Sequence, residues 1–128
     1  MRPRSTTLTE QELEIMKIVW DRESATVRDV YETLLERRRQ ESRTLAYTTV
    51  MTMMKILEQK EYLLKDQTDR AFVYRPTQPK GTVLGAMVRE FVNRVFNGSA
   101  EPLLVHLVEE HNLSAEDLEE IARIRSRA

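Results

Sequence analysis

The chain has 128 residues, room for one or two small modules, and its 41% hydrophobic and 32% charged residues describe a folded, soluble protein and not a disordered one. Zero cysteine excludes disulfides and thiolate metal sites, and no apolar run approaches a membrane span or a signal segment, so the chain is expected in the cytoplasm, away from membranes. A formal net charge of −1 does not by itself announce a nucleic-acid partner.

In chain order, Leu8-Thr9-Glu10-Gln11-Glu12-Leu13 is a helix start. Thr9 and Glu12 stand at the two positions of a capping box, and Leu8 and Leu13 at those of a hydrophobic staple. This helix is expected to run to about Trp20, with Leu13, Met16 and Trp20 on one side, before a short connection over Asp21-Arg22-Glu23-Ser24. A second start follows at Thr26, with Asp29 at N3. Val27, Val30, Tyr31, Leu34 and Leu35 then recur at helical spacing as a core stripe. The arginines at 37–39 close this helix, where cations favour the negative end of the dipole.

The third helix, starting between Leu45 and Tyr47, is the most informative. Val50, Met53, Met54 and Leu57 mark its apolar side at i, i+3, i+4, i+7. Thr44, Thr48, Met51, Thr52, Lys55 and Gln59 share the opposite arc. Solvated helix surfaces favour Glu and Lys, whereas this face has three short hydroxyls, a methionine, a glutamine and one lysine, and no acid. Such a face suits a DNA major groove, where carboxylates would meet phosphate repulsion and short side chains permit close approach. Threonine can offer a hydroxyl to a base edge or phosphate and a methyl to thymine. Met51 could meet a thymine methyl or be partly buried, and Tyr47 could touch a phosphate or pack inward. The alternative from another class is a winged-helix protein-interaction module, in which the same face docks a protein and DNA is irrelevant.

Tyr62 to Lys65 and Ala71 to Arg75 read as two strands, with Phe72 and Tyr74 on one face of the second and a polar turn over Asp66-Gln67-Thr68-Asp69-Arg70 between them. Pro76 and Pro79 close the ribbon. The expected fold is mainly α: a winged helix-turn-helix of three helices and a two-stranded wing over residues 1–78, then a three-helix dimerisation segment over 79–128. Val83, Leu84, Met87, Val88, Phe91, Val92, Val95 and Phe96 come as adjacent apolar pairs on the first tail helix, which Asn97-Gly98 ends. A second helix begins after Ser99 and carries Leu104 and Leu107; a third begins at Ser114, with Asp117 at N3. Two short helices cannot cover so wide a stripe, and about fifty residues make a poor independent core. Two copies sharing one core resolve this, unless the stripe packs on its own N-terminal domain.

An enzyme finds little support. His106 and His111, beside Glu109 and Glu110, are five residues apart, which sets the imidazoles roughly 140° from each other on a helix. No phosphate loop, nucleophile elbow or glycine fingerprint occurs, and no metal or cofactor is implied.

Taken together, several stretches resemble the penicillinase-repressor family (BlaI/MecI type): Leu45-Ala46-Tyr47-Thr48-Thr49-Val50-Met51-Thr52, the wing Arg70-Ala71-Phe72-Val73-Tyr74-Arg75-Pro76, the opening Leu8-Thr9-Glu10 with Trp20, Thr26-Val27-Arg28-Asp29-Val30, and Phe96-Asn97-Gly98-Ser99. The resemblance implies a dimeric repressor that binds a palindromic operator in double-stranded DNA through recognition helix 47–59, with Thr26 to Arg28 at the phosphates and Arg70 and Arg75 in the wing. The candidate DNA-facing set is thus Thr26, Arg28, Arg43, Thr44, Tyr47, Thr48, Thr49, Met51, Thr52, Lys55, Arg70 and Arg75. The candidate dimerisation set is Val83, Leu84, Met87, Val88, Phe91, Val95, Leu104 and Leu107. Family repressors cut by a regulatory protease are cleaved at an Asn-Phe pair; His106-Leu107 stands here instead, which counts against that partner. The family's copper-responsive branch uses cysteines that this chain lacks. Most relatives place glycine after the recognition helix, where Glu61 is expected to be forced into a left-handed conformation.

Overall fold

The computed structural model describes residues 7–38, 45–68 and 71–127. Their elements are α1 (Glu10–Arg22), α2 (Val27–Arg37), α3 (Tyr47–Gln59), β1 (Leu63–Thr68), β2 (Ala71–Pro76), α4 (Lys80–Phe96), α5 (Glu101–His111) and α6 (Ala115–Arg127). The chain forms two compact units, Met1–Leu84 and Gly85–Ala128. The first is a winged helix, three helices followed by an antiparallel two-stranded wing.

Local chemistry sets the helix starts. Thr9 and Glu12 form a full capping box on α1, with Oγ1 of Thr9 accepting from the Glu12 amide at 3.1 Å and the Thr9 amide donating back to Oε1 at 2.9 Å. Thr26 and Asp29 repeat it on α2, and Ser114 and Asp117 on α6. No such box opens α5, whose N-cap is Ala100 and not Ser99.

The core of the first unit is built on Ile15, Met16, Ile18 and Val19 of α1, Val30 and Leu34 of α2, Val50, Met54 and Leu57 of α3, and Leu63 and Tyr74 of the wing. The buried side of α1 therefore differs from the expected Leu13–Met16–Trp20 stripe. Leu13 and Trp20 are only half-buried, and Trp20 instead donates its indole N–H to the Gln78 carbonyl at 3.0 Å. The Tyr74 phenol is held above its ordinary pKa by burial and by the nearby Glu58 carboxylate.

The wing is longer than its apolar pattern suggests. β1 runs through Asp66 and Gln67 to Thr68, in register from Leu63↔Pro76 to Thr68↔Ala71. Beyond the core both faces of a ribbon meet water, so backbone pairing continues through polar residues without needing apolar ones. A third segment joins β2: Ala25 exchanges two backbone hydrogen bonds with Tyr74, at 2.9 and 2.8 Å, so part of the connection after α1 pairs like a strand.

The C-terminal end of α3 is fixed twice. Glu61 is left-handed at φ 70°, with its N–H donating to the Glu58 carbonyl and that of Tyr62 to Leu57, the bonding of a Schellman motif. A non-glycine residue there costs about 1 kcal/mol, and the motif turns the chain directly into β1. Beside it, Nζ of Lys60 donates to Oε1 of Glu12 at 2.9 Å and to the Thr7 carbonyl at 3.3 Å, tying the end of α3 to the start of α1. Burial pushes the Glu12 carboxyl up. The Lys60 ammonium, together with the Thr9 amide and hydroxyl, outweighs this and holds its pKa below the ordinary value.

Because the folded pKa lies below the unfolded one, this carboxylate stabilises the fold above the ordinary Glu range, and its contribution is lost as pH falls through the depressed value. Lys60→Met is expected to cost about 2 kcal/mol at pH 7. Urea unfolding from pH 7 down to pH 3 should show the gap between the two proteins shrinking as Glu12 is protonated. A gap that stays constant with pH would contradict the pairing.

Candidate nucleic-acid interface

The outward face of α3 follows from its inward one. With Val50, Met54 and Leu57 fully buried, Thr48, Thr52, Lys55 and Gln59 fall on an exposed stripe, Thr49 is exposed beside it, and Met51 is half-buried at its margin. The first turn of α3 contains no acidic residue, and its N-cap, Ala46, supplies no side-chain acceptor, so the first amides of the helix have no side-chain cap. Lys55 has no carboxylate partner among the described residues. The result is a surface of hydroxyls, one amide and one unpaired ammonium, with open amides at its leading end. It can donate to phosphates and base edges and repels neither.

Tyr47 opens this helix. Its ring packs edge-on against Tyr31 of α2, with centroids 5.3 Å apart and planes at 78°, while 38% of the residue stays exposed. It is therefore packed on one side and accessible on the other. Tyr31, which by spacing belongs to the core stripe of α2, is half-buried and carries this contact.

Around α3, the candidates divide. Thr26 caps α2: its Oγ1 accepts from the Asp29 amide at 3.0 Å, which leaves its proton available to an outside acceptor. Arg28 is exposed and pairs with Glu32 at 3.4 Å, an exposed i,i+4 pair that a phosphate can displace at little cost. Arg75 is ion-paired with Asp66 across the wing. Its register partner is Leu64, so it lies on the opposite face of the ribbon from Tyr74. Lys65, which sequence reasoning passed over, lies on the Tyr74 face with Nζ 4.5 Å from the centroid of the Phe72 ring. Strand parity carried that signal. Arg43, Thr44 and Arg70 lie outside the described residues.

The second unit contains no buried residue among those described. Val88, Phe91, Val95, Leu104 and Leu107 are exposed by between 39% and 55% and Met87 is half-buried, as is Leu84, the last residue of the first unit. Val83 departs from the expected set. It is buried in its own chain, near the start of α4 where the helix is still part of the first unit, so it cannot present a side chain to another copy. Val105, Leu118, Ile121 and Ile124, absent from the expected set, are exposed apolar residues of α5 and α6. His106 lies 6.1 Å from the Phe96 ring, centroid to centroid. Among the described residues no group of acids and histidines could hold a metal ion, and no helix is long and apolar enough to cross a membrane.

Residues 8–127 match the model of the family described as penicillinase repressor. A transcriptional regulator BlaI of Mycobacterium tuberculosis is 40% identical over 106 residues, spanning 81% of this chain and 73% of that protein. The penicillinase repressor of Bacillus licheniformis is 27% identical over 117 residues, 91% of this chain and 88% of its own. Among solved structures, the solution structure of the DNA-binding domain of the repressor BlaI superposes with a TM-score of 0.51 at 25% identity, over 62% of this chain and 90% of that one. The match runs through both units, and the chain belongs to the penicillinase repressor family.

Proposed function

We propose that this chain is a transcriptional repressor that binds operator DNA as a homodimer, each copy laying the Thr48–Thr52–Lys55 stripe of α3 in a major groove. The observation that carries this reading is the acid-free, hydroxyl-rich stripe itself, held rigidly outward by a fully buried opposite side. The names of the relatives, repressors and regulators of transcription, agree with it. Thr48, Thr49 and Thr52 read base edges or neighbouring phosphates, Lys55 takes a phosphate or guanine, and Tyr47, Thr26 and Arg28 flank them at the backbone.

Pairing of copies is supported by the exposed apolar residues of the second unit, which find no cover within that unit. Two linked reading helices would meet half-sites about 34 Å apart on one side of the duplex, which requires an inverted repeat. A protease that cuts Asn-Phe finds His106-Leu107 within α5 instead, so release by that scission is not part of this reading.

Gel shifts with fragments selected from the source genome test the reading helix. Thr52→Ala should weaken binding by about tenfold, in line with one lost base contact. Lys55→Ala should weaken it and lower the salt slope by about one if its contact is a phosphate. Wild-type affinity in both variants would remove α3 from the interface. Sedimentation of Phe91→Glu separately tests association: monomers with at least tenfold weaker binding are expected, because two half-sites are no longer held together. An unchanged dimer would place the shared surface elsewhere.

A further inference from the structure

We infer that the wing meets the DNA backbone through the face bearing Lys65, Gln67 and Phe72, with Lys65 held on the Phe72 ring as a phosphate contact, and not through the face bearing Arg75. The inference rests on the proposal that α3 lies in the groove.

Register assigns the faces. Leu63↔Pro76, Lys65↔Tyr74 and Gln67↔Phe72 share one side of the ribbon, while Leu64↔Arg75 and Asp66↔Val73 share the other. At the base of the ribbon the first side is turned inward: Leu63 and Tyr74 are buried, and the strands pack on all three helices of the unit. Leu64 and Arg75, level with them on the other side, are exposed. Toward the tip the inward side continues as Lys65, half-buried level with Tyr74, and then as Gln67 and Phe72, both exposed, Phe72 by 50%. A duplex resting on the outer stripe of α3 lies on the helix side of the ribbon, so it meets this face. Arg75 is directed away from it and is already paired with Asp66.

The chemistry of the two faces differs in the same sense. Lys65 has no carboxylate partner among the described residues, and its ammonium sits over an aromatic face whose quadrupole attracts it. The ring limits where the lysine can go without neutralising it, so a phosphate finds a placed cation and not a freely moving one. An exposed phenylalanine beside that lysine can also pack on the deoxyribose. A contact of this kind is blind to sequence, so its loss should act equally on any duplex.

The full chain can be titrated by fluorescence anisotropy against two labelled duplexes, one selected from sheared genomic DNA of the source and one unrelated and of equal length. Lys65→Met should weaken binding to both by the same factor, about fivefold, and lower the salt slope by about one per subunit. Lys65→Arg should restore it, Phe72→Ala should give part of the loss, and Arg75→Gln should stay within about twofold of wild type. These side chains are outside the core, and thermal melts establish that each variant is folded. The inference is overturned if Lys65→Met binds both duplexes as wild type does, or if Arg75→Gln causes the larger loss. Lys55→Ala, run alongside, separates the levels. If it weakens binding and Lys65→Met does not, only the wing assignment fails. If the wild-type chain binds neither duplex, the DNA reading falls and this inference with it.

Discussion

Burial of Val50, Met54 and Leu57 against α1, α2 and the first wing strand is the constraint on which the rest of the first unit depends. Each such side chain contributes about 1.5–3 kcal/mol on leaving water, and their i, i+4, i+7 spacing allows only one rotation of α3 about its axis. That rotation places the threonines and Lys55 outside. The hydroxyl stripe therefore owes its position to three residues that never touch a ligand. Lys60 and Glu61 then secure the far end of the helix, one by an ion pair to the start of α1 and the other by a left-handed turn into β1. Helix and wing are in this way set by consecutive residues of one short segment.

The two units contrast in how their stability arises. The first has a continuous core drawn from three helices and two strands. In the second, every described residue of α5 and α6 is at least partly exposed, although the Ser114–Asp117 box caps the start of α6 and the left-handed Asn97, Gly98 and Asn112 close α4 and α5. Capping supplies helices but no buried area. On the proposed reading the missing burial comes from a second copy, so folding of the tail and assembly of the dimer are one event, and stability depends on protein concentration.

Features with local causes were legible in the sequence. The capping boxes and the apolar side of α3 each rest on residues within one or two helical turns, whereas the left-handed Glu61 was implied by the glycine that relatives of the resembled family place there. Features with a choice between equal local patterns were not. α1 carries apolar residues at Leu13, Ile15, Met16, Ile18, Val19 and Trp20, and several stripes can be drawn through them. Only the arrival of α2, α3 and the wing selects Ile15, Met16, Ile18 and Val19. The strand through Asp66 and Gln67 and the Ala25–Tyr74 pairing are held by backbone bonds that leave little mark on side-chain pattern. Val83 belongs by spacing to the exposed stripe of α4, yet it is buried. Of the candidate site, periodicity put Thr48, Met51, Thr52 and Lys55 of α3 on one face, whereas Tyr47 and Thr49 came with the family resemblance. The wing candidates Arg70 and Arg75 came with the resemblance, and strand parity puts Lys65 on the core side of the ribbon and Arg75 on the other.

The most direct test of the outward stripe is methyl NMR of the full chain, labelled at methionine and threonine, as a selected DNA fragment is titrated in. Met51, Thr48 and Thr52 should shift strongly, while Met16 and Met54, fully buried behind them, should move little. DNA binding that leaves the α3 methyls unmoved, or that perturbs Met54 as much as Met51, would contradict the account.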